Sequence, residues 1–289
     1  MPRVFANGGM IGKTLDFTST TAYTSYPYSS YPDPITYVGG ATATAVTTAG
    51  ATATVTFTSL AGGVGSVQTG DFVIATVAVA TGNTDVTMSM TTAGYTTLYD
   101  LYQSENQASN LGVFYKVMGA TPDTSAQTGT MMPSNGSTVL AVQVWRGVNT
   151  TTPFGSAATA FENNGTNVNP SPITTTVNGS KVIVAGMGSS QRGVVLYTTQ
   201  ASLGNVLNAA ADSTRDAALM VGSVTVSGGG QRPSGTAVDP AIFSASNNGG
   251  SNDSGIAVTL ELMPNTVILN TLMNSGVWDT GWRYVANTA

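Results

Sequence analysis

Glu105, Glu162 and Glu261 are the three glutamates of the chain, and a glycosidase-style pair of carboxylates is the ordinary catalytic chemistry left open to it. Histidine and cysteine are both absent. That removes the usual general base, the Ser-His-Asp arrangement, disulfides, thiolate metal sites and nearly every common zinc or iron site. Glu261 falls in an apolar run that reads as a strand, whereas Glu105 and Glu162 fall in polar stretches, so surface carboxylates are the plainer reading and a non-enzymatic protein is expected. Asp212 and Asp216 flank Arg215 and read as turn contacts or a surface ion pair.

Oxygen ligands for calcium are present in Asn247-Asn248-Gly249-Gly250-Ser251-Asn252-Asp253 and in Glu162-Asn163-Asn164, without the spacing of a known calcium loop. Such Asn and Gly clusters are also the usual material of turns, so no metal and no cofactor are expected. Gly8-Gly9-Met10-Ile11-Gly12-Lys13-Thr14 has the end of a phosphate-binding loop, but Asn7 stands where its first glycine belongs, and no buried strand precedes it. The glycosylation sequons at Asn135, Asn149, Asn164, Asn178 and Asn252 are expected by chance in a chain this rich in Asn and Thr.

The elements that must position these residues are strands. Asp71–Ala80, DFVIATVAVA, is a long apolar run rich in β-branched residues and reads as a strand buried on both faces. Thr69-Gly70-Asp71-Phe72-Val73-Ile74 is echoed by Asn178-Gly179-Ser180-Lys181-Val182-Ile183, 109 positions on. Leu111–Met118 has a counterpart near Ala217–Val224, and Leu140–Val144 has one at Ile256–Leu260. One sandwich of two similar halves follows. Further strands are expected at Val86–Met90, Tyr95–Leu101, Thr138–Arg146, Ile173–Val177, Lys181–Met187, Val194–Thr198 and Ala217–Val226. The alternation across Ala41–Ser59 predicts a strand pair broken at Gly50, Gly147 to Pro172 reads as a polar connection, and Leu203–Ala211 as an irregular crossing. The fold class expected is all-β, a jelly-roll-like sandwich over residues 41–263. Two immunoglobulin-like sandwiches divided near Pro153 to Pro172 are the neighbouring possibility.

Charged residues make up 8% of the chain, against about 25% in an average soluble protein. The nine Lys and Arg are scattered singly under a net charge of −5, so nucleic acid is not an expected partner. No run of about 20 apolar residues is present, so no membrane partner is expected, and the opening residues lack the hydrophobic segment of a secretory signal. Residues 1–40 interleave Tyr23, Tyr26, Tyr28, Tyr31 and Tyr37 with Pro27, Pro32 and Pro34 and read as an extended arm. Residues 264–289, with Trp278, Trp282 and Tyr284, read as a C-terminal tail or hairpin. These aromatic side chains suit contact with another protein surface.

Phe5-Ala6-Asn7-Gly8-Gly9-Met10-Ile11-Gly12 resembles the glycine-rich openings of virion proteins from tailed bacteriophages, and Ser275-Gly276-Val277-Trp278-Asp279 is similar to short endings on the same kind of protein. Gly70-Asp71, Val113–Val117 and Val144-Trp145-Arg146-Gly147-Val148 are similar to segments of β-sandwich domains in phage tail-fibre and head-surface proteins. The resemblance implies a non-enzymatic capsid-surface (decoration or cement) or tail subunit, assembled in the host cytoplasm and located in the virion. Its partners would be other virion proteins and further copies of itself, as a trimer by analogy. The competing implication is a receptor- or carbohydrate-binding tip that takes a host surface glycan.

Overall fold

The computed structural model describes residues 5–6, 9–10, 35–46, 50–104, 108–129, 136–163, 167–190, 197–211, 215–226, 232–244 and 254–265. Two short strands, β1 (Phe5–Ala6) and β2 (Gly9–Met10), pair with each other. The first half then comprises β3 (Thr36–Val46), β4 (Thr54–Thr56), β5 (Phe72–Thr81), β6 (Thr96–Gln103), β7 (Ala108–Val117), β8 (Ser125–Gln127) and β9 (Ser137–Arg146). The second comprises β10 (Phe154–Asn163), β11 (Asn167–Val168), β12 (Ile173–Thr174), β13 (Lys181–Ser190), β14 (Leu203–Ala211), β15 (Asp216–Val224), β16 (Ala237–Val238), β17 (Phe243–Ser244) and β18 (Ser254–Leu262). Among the described residues, one 3-10 turn at Phe57–Ser59 is the only helical segment.

Each half contributes one five-stranded antiparallel sheet, ordered β3-β9-β5-β7-β6 in the first and β10-β18-β13-β15-β14 in the second. Matching β5 to β13, as the sequence echo requires, matches every other strand in the same order. The protein is therefore an all-β sandwich of two similar halves. The sheets face each other with β5 over β13, β9 over β15, β3 over β14, and β7 over β18. That pairing is what an approximate two-fold axis running along the strands between β5 and β13 produces.

The core between the sheets is built from Phe72, Ile74, Leu111 and Trp145 on one side and Ile183, Met187, Leu219, Ile256 and Leu260 on the other. The outer face of the first sheet is covered by the β4–β8 ladder and its loops, through Val55, Phe57, Met88 and Ala126. The outer face of the second lies under the β11–β17 and β12–β16 ladders, through Val168, Ile173, Val238 and Phe243. Both faces of β5 are thus covered and all its residues are buried. That burial explains a continuous apolar run where a one-faced strand would alternate.

Several sequence expectations shift in the structure. Residues 36–40 belong to β3 and not to an arm, because Ile35, Tyr37 and Val38 are core residues. The Ala41–Ser59 alternation does not fold back on itself. The turn at Gly50, at φ 76°, sends β4 to pair with β8 in the outer layer. Val86–Met90 is not a strand: Val86 N donates to Asn110 Oδ1 and Met88 N to Asp100 Oδ2, which lays this segment across the outer face with Met88 buried beneath it. The supposed polar connection contains β10, and Leu203–Ala211 is the edge strand β14, bulged between Gly204 and Leu207. In the Ile173–Val177 segment only β12 is a strand, and the residues after it turn toward Glu261. Of Val194–Thr198, only Tyr197 and Thr198 lie within the described residues; Tyr197 packs against Phe243, and Thr198 N donates to Ser244 O.

Candidate functional site

Glu261 sits near the end of β18, wholly buried, on the face of the second sheet turned away from the partner sheet. Its Oε1 accepts from Thr176 N at 2.8 Å and Val177 N at 3.3 Å. Its Oε2 accepts from Ser156 N at 2.8 Å and Thr176 Oγ1 at 2.9 Å. One carboxylate thus ties the start of β10 and the turn after β12 to β18. The site has no room to spare, since a Cβ on Gly155 would fall inside contact distance of Glu261 Oε2 and 2.7 Å from Thr176 Oγ1. Gly155→Ala is expected to lower stability by about 1 to 3 kcal/mol through overpacking against a carboxylate that cannot retreat. Equilibrium urea unfolding at unchanged m would register it.

Glu162 lies toward the other end of the same strand pair, opposite Gly255. Six residues of β18 separate that position from Glu261, about 20 Å at the rise of an antiparallel strand. Paired-acid glycoside hydrolysis needs separations of about 5 to 9.5 Å, so these two carboxylates cannot act on one bond. Glu105, Asp212 and the Asn247–Asp253 loop lie outside the described residues. Asp216 is buried at the first position of β15 and is not the surface carboxylate expected. Nearby, Ser109 Oγ, Ser189 Oγ and Ser254 Oγ form a closed triangle with sides of 3.1, 3.2 and 2.9 Å. These hydroxyls satisfy one another and clamp β7 of the first half to β13 and β18 of the second. Among the described residues, no group of three His, Cys, Asp or Glu side chains could hold a metal ion.

Two of the sequons have structural duties. Asn149 Oδ1 accepts from Thr151 N and Thr152 N, and Asn178 Oδ1 accepts from Ser234 N. Of the glycine-rich opening, Gly9 and Met10 pair with Phe5 and Ala6, and Gly8, Ile11, Gly12, Lys13 and Thr14 lie outside the described residues.

The feature that singles out one end of the molecule is the path of the chain ends. Thr36, the first residue of β3, pairs with Arg146, the last of β9. At the other terminus, Met263 N donates to Pro153 O, Asn149 N to Met263 O, and Asn265 N to Gly147 O at 2.7 Å, with Val148 bridged to Pro264. The described sandwich therefore begins, at Thr36, and ends, at Asn265, side by side at Arg146-Gly147. This end is fixed by an ion pair. Arg146 Nε donates to Asp71 Oδ1 and Arg146 Nη2 to Asp71 Oδ2, both at 2.8 Å, while Gln68 N donates to Asp71 Oδ2 at 2.7 Å. The hydrogen bonds to Asp71 raise the Arg146 guanidinium further above its ordinary pKa. Asp71 itself is buried, so the fork holds the start of β5 against the end of β9.

Of the aromatic residues expected to make assembly contacts, Tyr37 packs inside its own chain. Its ring lies 4.9 Å from that of Trp145, it is 8% exposed, and desolvation pushes its phenol up to about 12. Tyr23, Tyr26, Tyr28, Tyr31, Trp278, Trp282 and Tyr284 lie outside the described residues. Sequence reasoning passed over Asp71 and Arg146 as a pair because 75 positions separate them. It placed Glu261 on a strand but missed its donors, which come from segments 84 to 105 positions away. No family model, no curated protein and no solved structure matches the chain.

Proposed function

We propose that this chain is a non-enzymatic structural subunit of a tailed-bacteriophage virion, on the capsid surface or the tail, joined to its neighbours through the segments beyond its two ends. The observation that carries this reading is that the described sandwich begins, at Thr36, and ends, at Asn265, at the same end of a doubly sheeted body, pinned by Asp71 and Arg146. A body attached there projects its opposite end outward. The resemblance of Phe5–Gly12 and Ser275–Asp279 to virion protein termini supports the phage assignment. Surfaces rich in hydroxyl and amide groups and poor in ions suit a particle coat, because contacts made without ion pairs are little affected by salt.

Purified particles test it. The protein should be found on them in multiple copies by mass spectrometry and microscopy. A chain lacking residues 1–34 should fold but lose at least about tenfold in incorporation, an effect of about 1.4 kcal/mol or more. The cut falls before Ile35 because Ile35, Tyr37 and Val38 are part of the core. Absence from particles, or undiminished incorporation after both the N-terminal cut and removal of residues 266–289, would overturn the proposal.

A further inference from the structure

The approximate two-fold axis requires the packing of β3 over β14 to have a counterpart in β10 and β6. On the first side the sheets close. Gly40 leaves room for the Tyr37 hydroxyl and for β14, since a Cβ there would fall inside contact distance of Tyr37 Oη and stand 2.9 Å from Leu207 Cδ1. On the second side, the positions matching Gly40, Thr44, Leu207 and Ala209 hold Ala157, Phe161, Tyr99 and Leu101. Every one is bulkier than its counterpart, and β6 finds its packing partner in β18 rather than β10. The sheet edges do not close here as they do on the first side. Phe161 is left 46% exposed, Ala157 is exposed, and Tyr99, Leu101 and Thr159 are half-buried. This strip continues the core between the sheets, and the inward-facing residues of β6 and β10 that line it carry no ionisable group except the Tyr99 phenol.

An occupant of such a strip must be largely apolar and nearly uncharged. Residues 266–289 meet that requirement, with Val267, Ile268, Leu269, Leu272, Trp278 and Trp282 and only Asp279 and Arg283 charged. Residues 1–34 fit less well, carrying Arg3, Lys13, Asp16 and Asp33 among several prolines. Twenty-four residues reach at most about 80 Å, against about 30 Å for the strands that line the strip. Between Pro153 and Gly147 the departing chain runs from β10 toward β9, away from its own open side. We propose that residues 266–289 of one copy cover the face between β6 and β10 of a second copy. The inference rests on attachment through the chain ends and specifies the partner as another copy of this chain.

The full-length protein tests it. Phe161→p-benzoylphenylalanine, irradiated in an equal mixture of isotopically light and heavy chains, should cross-link to residues 266–289 and yield mixed-isotope products. Phe161→Asp should reduce the assembled species to the 29.3 kDa monomer by light scattering. Cross-links confined to one isotope, cross-links to residues 1–34, or an oligomer unchanged by Phe161→Asp would overturn the inference. So would glycan binding that Phe161→Asp abolishes while the oligomer persists. These readouts need no particle, so a failure here is distinct from a failure to find the protein on virions.

Discussion

Glu261→Ala is expected to lower the stability of the folded chain by about 3 to 5 kcal/mol, a large share of the 5 to 15 kcal/mol typical of a folded domain. The carboxylate, itself wholly buried, receives three backbone N–H groups and one hydroxyl from Ser156, Thr176 and Val177, which lie nearer the surface. Removing it takes away the acceptor of those donors, at about 1 to 3 kcal/mol for each that stays out of reach of water. It also leaves a cavity under β12. Glu261→Gln separates these contributions. The amide oxygen can keep Thr176 N and Val177 N, the Thr176 hydroxyl can reverse to accept from the new NH2 group, and only Ser156 N is left facing a donor. A loss of about 1 to 2 kcal/mol is therefore expected for the glutamine, from one opposed N–H. Urea unfolding gives the two values. Amide exchange should quicken first at Ser156, Thr176 and Val177. Both variants falling within about 0.5 kcal/mol of the parent, the range of ordinary surface substitutions, would mean that Glu261 does not hold the start of β10.

The sequence made the central strands legible for a physical reason. β5, β9, β13 and β18 are covered on both faces, so each is an apolar run that needs no periodicity to be noticed. The 109-position echo then exposed the duplication, and the identical sheet orders are its structural form. Edge strands were harder to see. β10 is built from Phe-Gly-Ser-Ala-Ala-Thr-Ala-Phe, in which small residues blur the difference between the two faces. β14 carries Gly204 and Asn205 at its bulge, and Asn205, at φ 53°, reads locally as a turn residue. Val86–Met90 is apolar for another cause, since it roofs the first sheet, and apolar character alone does not tell a roof from a strand. Tyr37 continues the tyrosine spacing of the residues before it, and nothing local signals that it lies opposite Trp145. The site was the least legible part, because Glu261 and the Asp71–Arg146 fork are assembled from segments far apart in sequence.

Trp145→Ala should be as damaging as the loss of Glu261, costing about 3 to 5 kcal/mol for a large aromatic side chain removed from a packed core. Trp145 is fully buried, pairs across β3 with Tyr37 and across β5 with Phe72, and stands one residue before the arginine that holds Asp71. The cavity would therefore open at the end that holds Thr36 and Asn265, and amide exchange should rise at Val38 through Gly40 before it rises at Val77 or Val79. Trp145→Phe makes the opposite use of the same site. The indole Nε1 has no hydrogen-bond partner among the described residues although it is buried, and an unpaired buried N–H costs about 1 to 3 kcal/mol. Phenylalanine removes that penalty while giving up part of the ring, so the two effects oppose and a net change of less than about 1 kcal/mol is expected. A phenylalanine variant as unstable as the alanine one would show that the indole nitrogen is satisfied, by an internal water or by a residue outside the described set. A small effect of both would mean that the Asp71–Arg146 fork is enough to hold the start of β5 against the end of β9. In that event, Asp71→Ala in the Trp145→Phe background should release them together.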